Sequence, residues 1–133
     1  MQFSLTLAVA DLEQTEEFYR EILQLNPQRS EAGDRMPDFL LLRCGAACIV
    51  FRPLQVMEAQ HPALLQNLTR HPLGVGMQLE LSCSDLSAVR NSIERYQWPV
   101  LYELEDYEHQ RRELWLHDPD GYLLVLNEER GES

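Results

Sequence analysis

Two stretches of this 133-residue chain repeat one pattern at a fixed distance, and the repeat limits the fold more than any single motif does. Leu5-Thr6-Leu7-Ala8-Val9-Ala10-Asp11-Leu12 aligns with Leu79-Glu80-Leu81-Ser82-Cys83-Ser84-Asp85-Leu86 at an offset of 74 residues. In each copy large apolar residues alternate with small or polar ones, the mark of a strand with one buried face. The Asp-Leu pair that follows suits a helix start, because the carboxylate accepts from backbone N–H groups that the first turn leaves unpaired. Ile49-Val50-Phe51 and Leu124-Val125-Leu126 match at an offset of 75. Self-similarity of this length predicts two copies of one supersecondary unit that share a core.

In the first copy a strand is expected over Phe3 to Val9. A helix follows, with Asp11 as N-cap, Gln14 in a capping-box-like position, and Glu13, Glu16 and Glu17 at the positive end of its dipole. Leu12, Thr15, Phe18, Tyr19, Ile22 and Leu23 recur at helical spacing and form its buried stripe, and the helix is expected to end before Pro27. A polar, extended segment reaches Arg35, and strands over Phe39 to Arg43 and Ala47 to Phe51 then turn at Gly45. Residues 54–75 read as a connector, with Pro62 opening a short helix that carries Leu64, Leu65 and Leu68 before Pro72, Gly74 and Gly76 break it. From Met77 the pattern restarts: Leu86, Val89, Ile93 and Tyr96 continue a helical stripe, and a strand is expected over Val100 to Glu103. The fold class is α+β, with two β-α-β-β-β modules in tandem over residues 1–53 and 76–128 of one domain.

The chain closes on Arg112 to Asn127, where apolar runs flank Asp118-Pro119-Asp120-Gly121. Proline presets φ and glycine accepts the left-handed conformation, so the tetrapeptide is a turn and the segment a β-hairpin. By alternation Glu113, Trp115 and His117 leave one face of the first strand and Leu114 and Leu116 the other, while Leu123, Val125 and Asn127 share a face of the second.

Residues 7–25, L-A-V-A-D-L-E-Q-T-E-E-F-Y-R-E-I-L-Q-L, and the closing E-L-W-L-H-D-P-D-G-Y-L-L-V-L together resemble the vicinal oxygen chelate superfamily, which includes glyoxalase I, extradiol dioxygenases and the fosfomycin- and bleomycin-resistance proteins. The resemblance runs from about Phe3 to Glu128 and implies curved mixed sheets that enclose a cavity. Metal-dependent members place ligands on the first strand of each module, seven residues before the helix-starting Asp, and on the last strand of each. Those positions carry over to Ser4, Val50, Gln78 and Val125. Two valines cannot coordinate, and Gln78 alone offers a reasonable oxygen to a hard cation, so no metal or other cofactor is expected. The resemblance is then to the metal-free bleomycin-resistance proteins, which hold a ligand without chemistry. A small molecule, with a cationic aromatic one favoured, is expected to meet Ser4, Val50, Gln78, Tyr102, Trp115, Leu123 and Val125, and no catalytic residue is assigned. Trp98 and Tyr107 offer further stacking surfaces. The alternative is a metal-dependent lyase or dioxygenase of glyoxalase type. Members of the family commonly complete their cavities by pairing modules between chains, so a homodimer is expected.

Charge and composition narrow the partners. Eleven Lys plus Arg against 22 Asp plus Glu give a formal charge of -11, which repels phosphate backbones and anionic lipid, so neither nucleic acid nor membrane is expected. No apolar run is long enough to span a bilayer and the N-terminus lacks a signal-peptide pattern, which points to the cytoplasm. Three cysteines do not make a disulfide framework; Cys44 and Cys48 are expected to face each other across a three-residue hairpin loop, reduced and buried. His61, His71, His109 and His117 show no ligand spacing, and the run from Glu103 to Glu108 reads as a solvated strand end and loop.

Overall fold

The computed structural model describes residues 1–30, 38–65, 68–70 and 72–129. It contains two four-stranded mixed sheets that are not closed into a barrel. The first module contributes β1 (Ser4–Val9), helix α1 (Leu12–Glu17), β2 (Gln28–Ser30), β3 (Phe39–Cys44) and β4 (Ala47–Pro53), in sheet order β1-β4-β3-β2. The second contributes β5 (Gln78–Cys83), helix α4 (Ser87–Tyr96), β6 (Tyr102–Asp106), β7 (Arg111–His117) and β8 (Leu123–Glu129), in order β5-β8-β7-β6. In both sheets the first strand runs parallel to the last, which is the β-α-β-β-β arrangement expected from the repeat.

Each sheet has one face that belongs to the core. Leu7 and Val9 of β1, Leu40 and Leu42 of β3, Ile49 and Phe51 of β4, and Leu114, Leu116, Leu124 and Leu126 of the closing hairpin join one buried cluster with Phe18, Tyr19, Leu86 and Ile93 of the helical layer. The opposite faces carry the alternate residues and stay open. Helix α1 begins as its sequence requires, with the Asp11 carboxylate accepting from the backbone N–H groups of Glu13 and Gln14. It does not end there: the chain continues as a π-helical turn over Phe18–Ile22, which periodicity at 3.6 residues could not show. In the second module Asp85 accepts from Ser87 N–H and α4 starts one residue later than the repeat implies.

Four local expectations need correction. Cys44 pairs with Ala47 and Arg43 with Cys48, so the hairpin loop has two residues, Gly45 and Ala46, and the two cysteines leave opposite faces of the sheet. Gly45, at φ +59, takes the left-handed conformation that makes so short a turn possible. The connector holds an unexpected helix α2 (Leu54–Gln60) before α3 (Pro62–Leu65) and a 3-10 turn at Leu68–Arg70. The strand expected over Val100 to Glu103 lies at Tyr102–Asp106, since Pro99 and the C-terminal turn of α4 hold the chain away until Leu101 N–H reaches the Trp115 carbonyl. The polar segment between Glu31 and Arg35 falls outside the described residues, as does His71.

The D-P-D-G turn does more than reverse the chain. His117 pairs with Leu123, and the five residues between them form a loop with Gly121 at φ +95 and Tyr122 outside β8. Asp118, 3% exposed, accepts from the N–H groups of Asp120 and Tyr122 and from the Tyr19 hydroxyl at 2.8 Å. Asp120 accepts from Ala10 N–H at 2.8 Å, and the Tyr122 hydroxyl donates to the Ala8 carbonyl at 2.8 Å. The loop of the second module is thereby fastened to the strand-to-helix junction of the first. Burial, then the charge on Asp118, pushes the Tyr122 hydroxyl up to about 12 and raises Tyr19 well above its ordinary value.

Candidate functional site

The open face of the second sheet is built by strand register. Tyr102 of β6 pairs with Trp115 of β7, Trp115 with Val125 of β8, and Val125 with Glu80 of β5, so the four make one row across the sheet. A parallel row runs Glu113, Asn127, Ser82, and a third runs His117, Leu123, Gln78. Tyr102 and Trp115 meet edge to face with ring centroids 5.7 Å apart. Val125 is 2% exposed although it stands on this open face, which makes it an apolar floor between an indole and a carboxylate.

Hydrogen bonds hold the polar part of this face. Asn127, 7% exposed, donates through Nδ2 to Glu80 Oε1 and accepts at Oδ1 from the Ser82 hydroxyl, which fixes the orientation of its amide. Glu113 accepts from Trp115 Nε1 and from Arg111, both at 3.1 Å. Glu80 thus ends the Trp115–Val125 row and Glu113 stands in the next row beside Trp115, and both carboxylates are held in place. The sequence reading missed Glu80, Glu113 and Asn127. Their signal was present in the alternation, which puts them in phase with Trp115 and Val125.

Of the expected ligand-contacting residues, Gln78, Tyr102, Trp115, Leu123 and Val125 share this face. Ser4 and Val50 stand on the open face of the first sheet, where Thr6, Val50, Leu41 and Gln28 form the central row and Ser4 lies beside Cys48. That face carries Arg43 and Arg52, the latter 4.9 Å above the Phe39 ring, and its strands contribute no carboxylate to it among the described residues. Trp98 belongs elsewhere. It packs on Phe18 with centroids 4.8 Å apart and donates Nε1–H to the His117 carbonyl, so its stacking partner is the helical layer. Tyr107, 83% exposed, sits in the β6–β7 turn and donates to Glu105.

The residues do not fit a divalent metal. Val50 and Val125 have no donor atoms, and no three His, Cys, Asp or Glu side chains among the described residues come together in a way that could hold an ion. His61, His109 and His117 are exposed, and His109 is bonded to Asp106. In the acidic run, hydrogen bonds lower the carboxyls, that from Tyr107 foremost at Glu105 and that from His109 at Asp106. Groups held that way are unsuited to act as general acids.

A family model described as Glyoxalase/Bleomycin resistance protein/Dioxygenase superfamily matches residues 2–126. Among solved structures, a glyoxalase-related enzyme from Fulvimarina pelagi superimposes with a TM-score of 0.68 at 19% identity, covering 97% of this chain and 88% of that one. An antibiotic binding protein from a Streptomyces species does so at 0.64 and 17% identity, covering 97% and 95%. A lactoylglutathione lyase from Agrobacterium tumefaciens gives 0.59 at 17% identity, covering 96% and 92%. No curated protein matches the sequence. At these identities the likeness to the solved structures is one of fold.

Proposed function

The chain belongs to the glyoxalase/bleomycin resistance protein/dioxygenase superfamily, and we propose that it binds a small molecule against the open face of its second sheet without metal chemistry. The row Tyr102–Trp115–Val125–Glu80 carries this reading. An aromatic pair and an apolar floor suit a planar ring, and the fixed carboxylates of Glu80 and Glu113 suit a positive charge on it. The ligand is a cationic aromatic compound. The antibiotic binding protein among the structural neighbours supports a small-molecule ligand. A metal-dependent lyase reaction would need donors where Val50 and Val125 stand.

A second copy of the chain completes the site. The open face of the first sheet carries Arg43 and Arg52, that of the second Glu80 and Glu113, so pairing unlike faces between two copies matches charge and covers apolar surface on both. The three free cysteines agree with a reducing, cytoplasmic setting.

Thermal shift with a panel of cationic and neutral polycyclic antibiotics tests the reading. A cationic member present at about 100 times its Kd adds about 2.7 kcal/mol of stability, and Trp115→Ala removes the shift. No shift with any member, or about one equivalent of zinc, nickel or iron per chain by elemental analysis of protein purified without chelator, would overturn it.

A further inference from the structure

The helical layer carries a recess away from both open sheet faces. Glu17 and Glu21, with Tyr96 and Trp98 opposite, border a groove of about 330 Å³ whose floor includes Phe18 and Ile22. The π turn runs along it. A π turn bonds each residue to the fifth one along, so side chains four and five apart share a face. Glu17 and Glu21, four apart, are neighbours as in any α-helix, and the turn at Phe18–Ile22 brings Ile22 to the same face.

Neither carboxylate enters an ion pair among the described residues, although cations lie nearby. Arg20 turns to Glu16 and to the Pro27 carbonyl, and Arg95 lies 5.9 Å over the Tyr96 ring. The groove thus combines an apolar floor, aromatic walls and two exposed negative charges, in a chain whose formal charge of -11 gathers cations. Its volume falls within the range of small-ligand sites, about 300–1,000 Å³.

We propose that this groove binds a linear aliphatic diamine, one ammonium on Glu17 and the other on Glu21, with the methylene chain over Ile22 and the edge of Trp98. Side chains one helical turn apart stand about 5–6 Å from each other, close to the reach of four methylenes. An ammonium near an indole or phenol face gains a cation–π attraction that the carboxylate alone would not give. The site is separate from the open sheet face and does not rest on the function proposed for it.

The two indole N–H signals in a proton–nitrogen correlation spectrum provide the test, with Trp115 as internal control. Titration with 1,4-diaminobutane is expected to move the Trp98 signal to saturation and leave Trp115 in place. n-Butylammonium, with one charge, is expected to bind about tenfold more weakly, and so is 1,4-diaminobutane to Glu17→Gln/Glu21→Gln, two exposed positions whose exchange leaves the thermal midpoint near wild type. Sodium chloride at equal ionic strength producing the same shift would mean a face that gathers any cation and would overturn the proposal. So would undiminished binding to the double variant, or movement of Trp115 without Trp98.

Discussion

Replacing Asp118 by alanine removes the acceptor for three donors at once, and the structure says how much that costs. Tyr19 is fully buried, so its hydroxyl loses its partner where no water can replace it; the buried Tyr122 N–H is in the same position. Asp120 N–H is part-buried and can turn to solvent. Each buried orphan costs about 1–3 kcal/mol. Against this, burial holds the Asp118 carboxyl above its ordinary range, so its charge carries a desolvation cost that alanine relieves. The net loss is about 2–4 kcal/mol, a large share of the 5–15 kcal/mol typical of a small protein, and lowers the urea midpoint by about 1–2 M. Tyr19→Phe alone costs about 1.5–3 kcal/mol, the worth of a hydrogen bond to a charged group. In the Asp118→Ala background the same change removes an orphan hydroxyl and costs little or nothing. Urea denaturation followed by circular dichroism, on wild type, both single variants and the double, gives the cycle. A double variant whose loss equals the sum of the singles, or Asp118→Ala within about 0.5 kcal/mol of wild type, would refute the latch.

Three further outcomes are expected. Asp118→Asn gains stability relative to wild type as pH rises from about 3 to 6: the raised folded pKa means Asp118 contributes fully below about pH 3.9 and that contribution is lost as pH climbs through the folded value, whereas asparagine does not titrate. A relative slope of the opposite sign in denaturation midpoints would reject this. Val125→Glu places a carboxyl on a buried floor beside Glu80, costing several kcal/mol at about pH 8 with partial recovery near pH 5, since a raised folded pKa favours the folded state as pH falls; an unchanged midpoint at both would mean the position faces solvent. Gly74→Ala forces a methyl to within 2.8 Å of Tyr122 Cδ1 at φ +81, whereas Gly76→Ala has the same φ and meets nothing within 4 Å, so thermal melts should show the larger loss at Gly74.

What the sequence could show was local or periodic. The strand-to-helix junction at Asp11 and the alternation through Trp115 and Val125 are patterns of near neighbours, the repeat that relates Ser4 to Gln78 is one of fixed period, and together they give two modules and one face of each sheet. The π turn was hidden because Phe18, Tyr19, Ile22 and Leu23 satisfy an α-helical stripe equally well. Helix α2 was hidden because Leu54, Val56 and Met57 sit between prolines in a stretch without a clear period. Trp98 could not be assigned from spacing, since its neighbours Phe18 and His117 are distant in the chain. Glu80 and Glu113 were legible in phase, but a carboxylate on an open strand face has no signature that separates a held group from a solvated one.

The order of strands in the second sheet sets a condition on synthesis. Strand β5 has one neighbour, β8, which is also the last strand of the described chain. While the ribosome makes everything between them, β5 has no partner within its own sheet, and β6 and β7 form a hairpin that lacks the strand meant to join it to β5. The nascent protein therefore holds exposed strand edges and an uncovered leucine-rich face until β8 emerges, a state that invites association with other chains. Truncation between β7 and β8 should then yield aggregated product, because the missing piece is the centre of a sheet and not its margin.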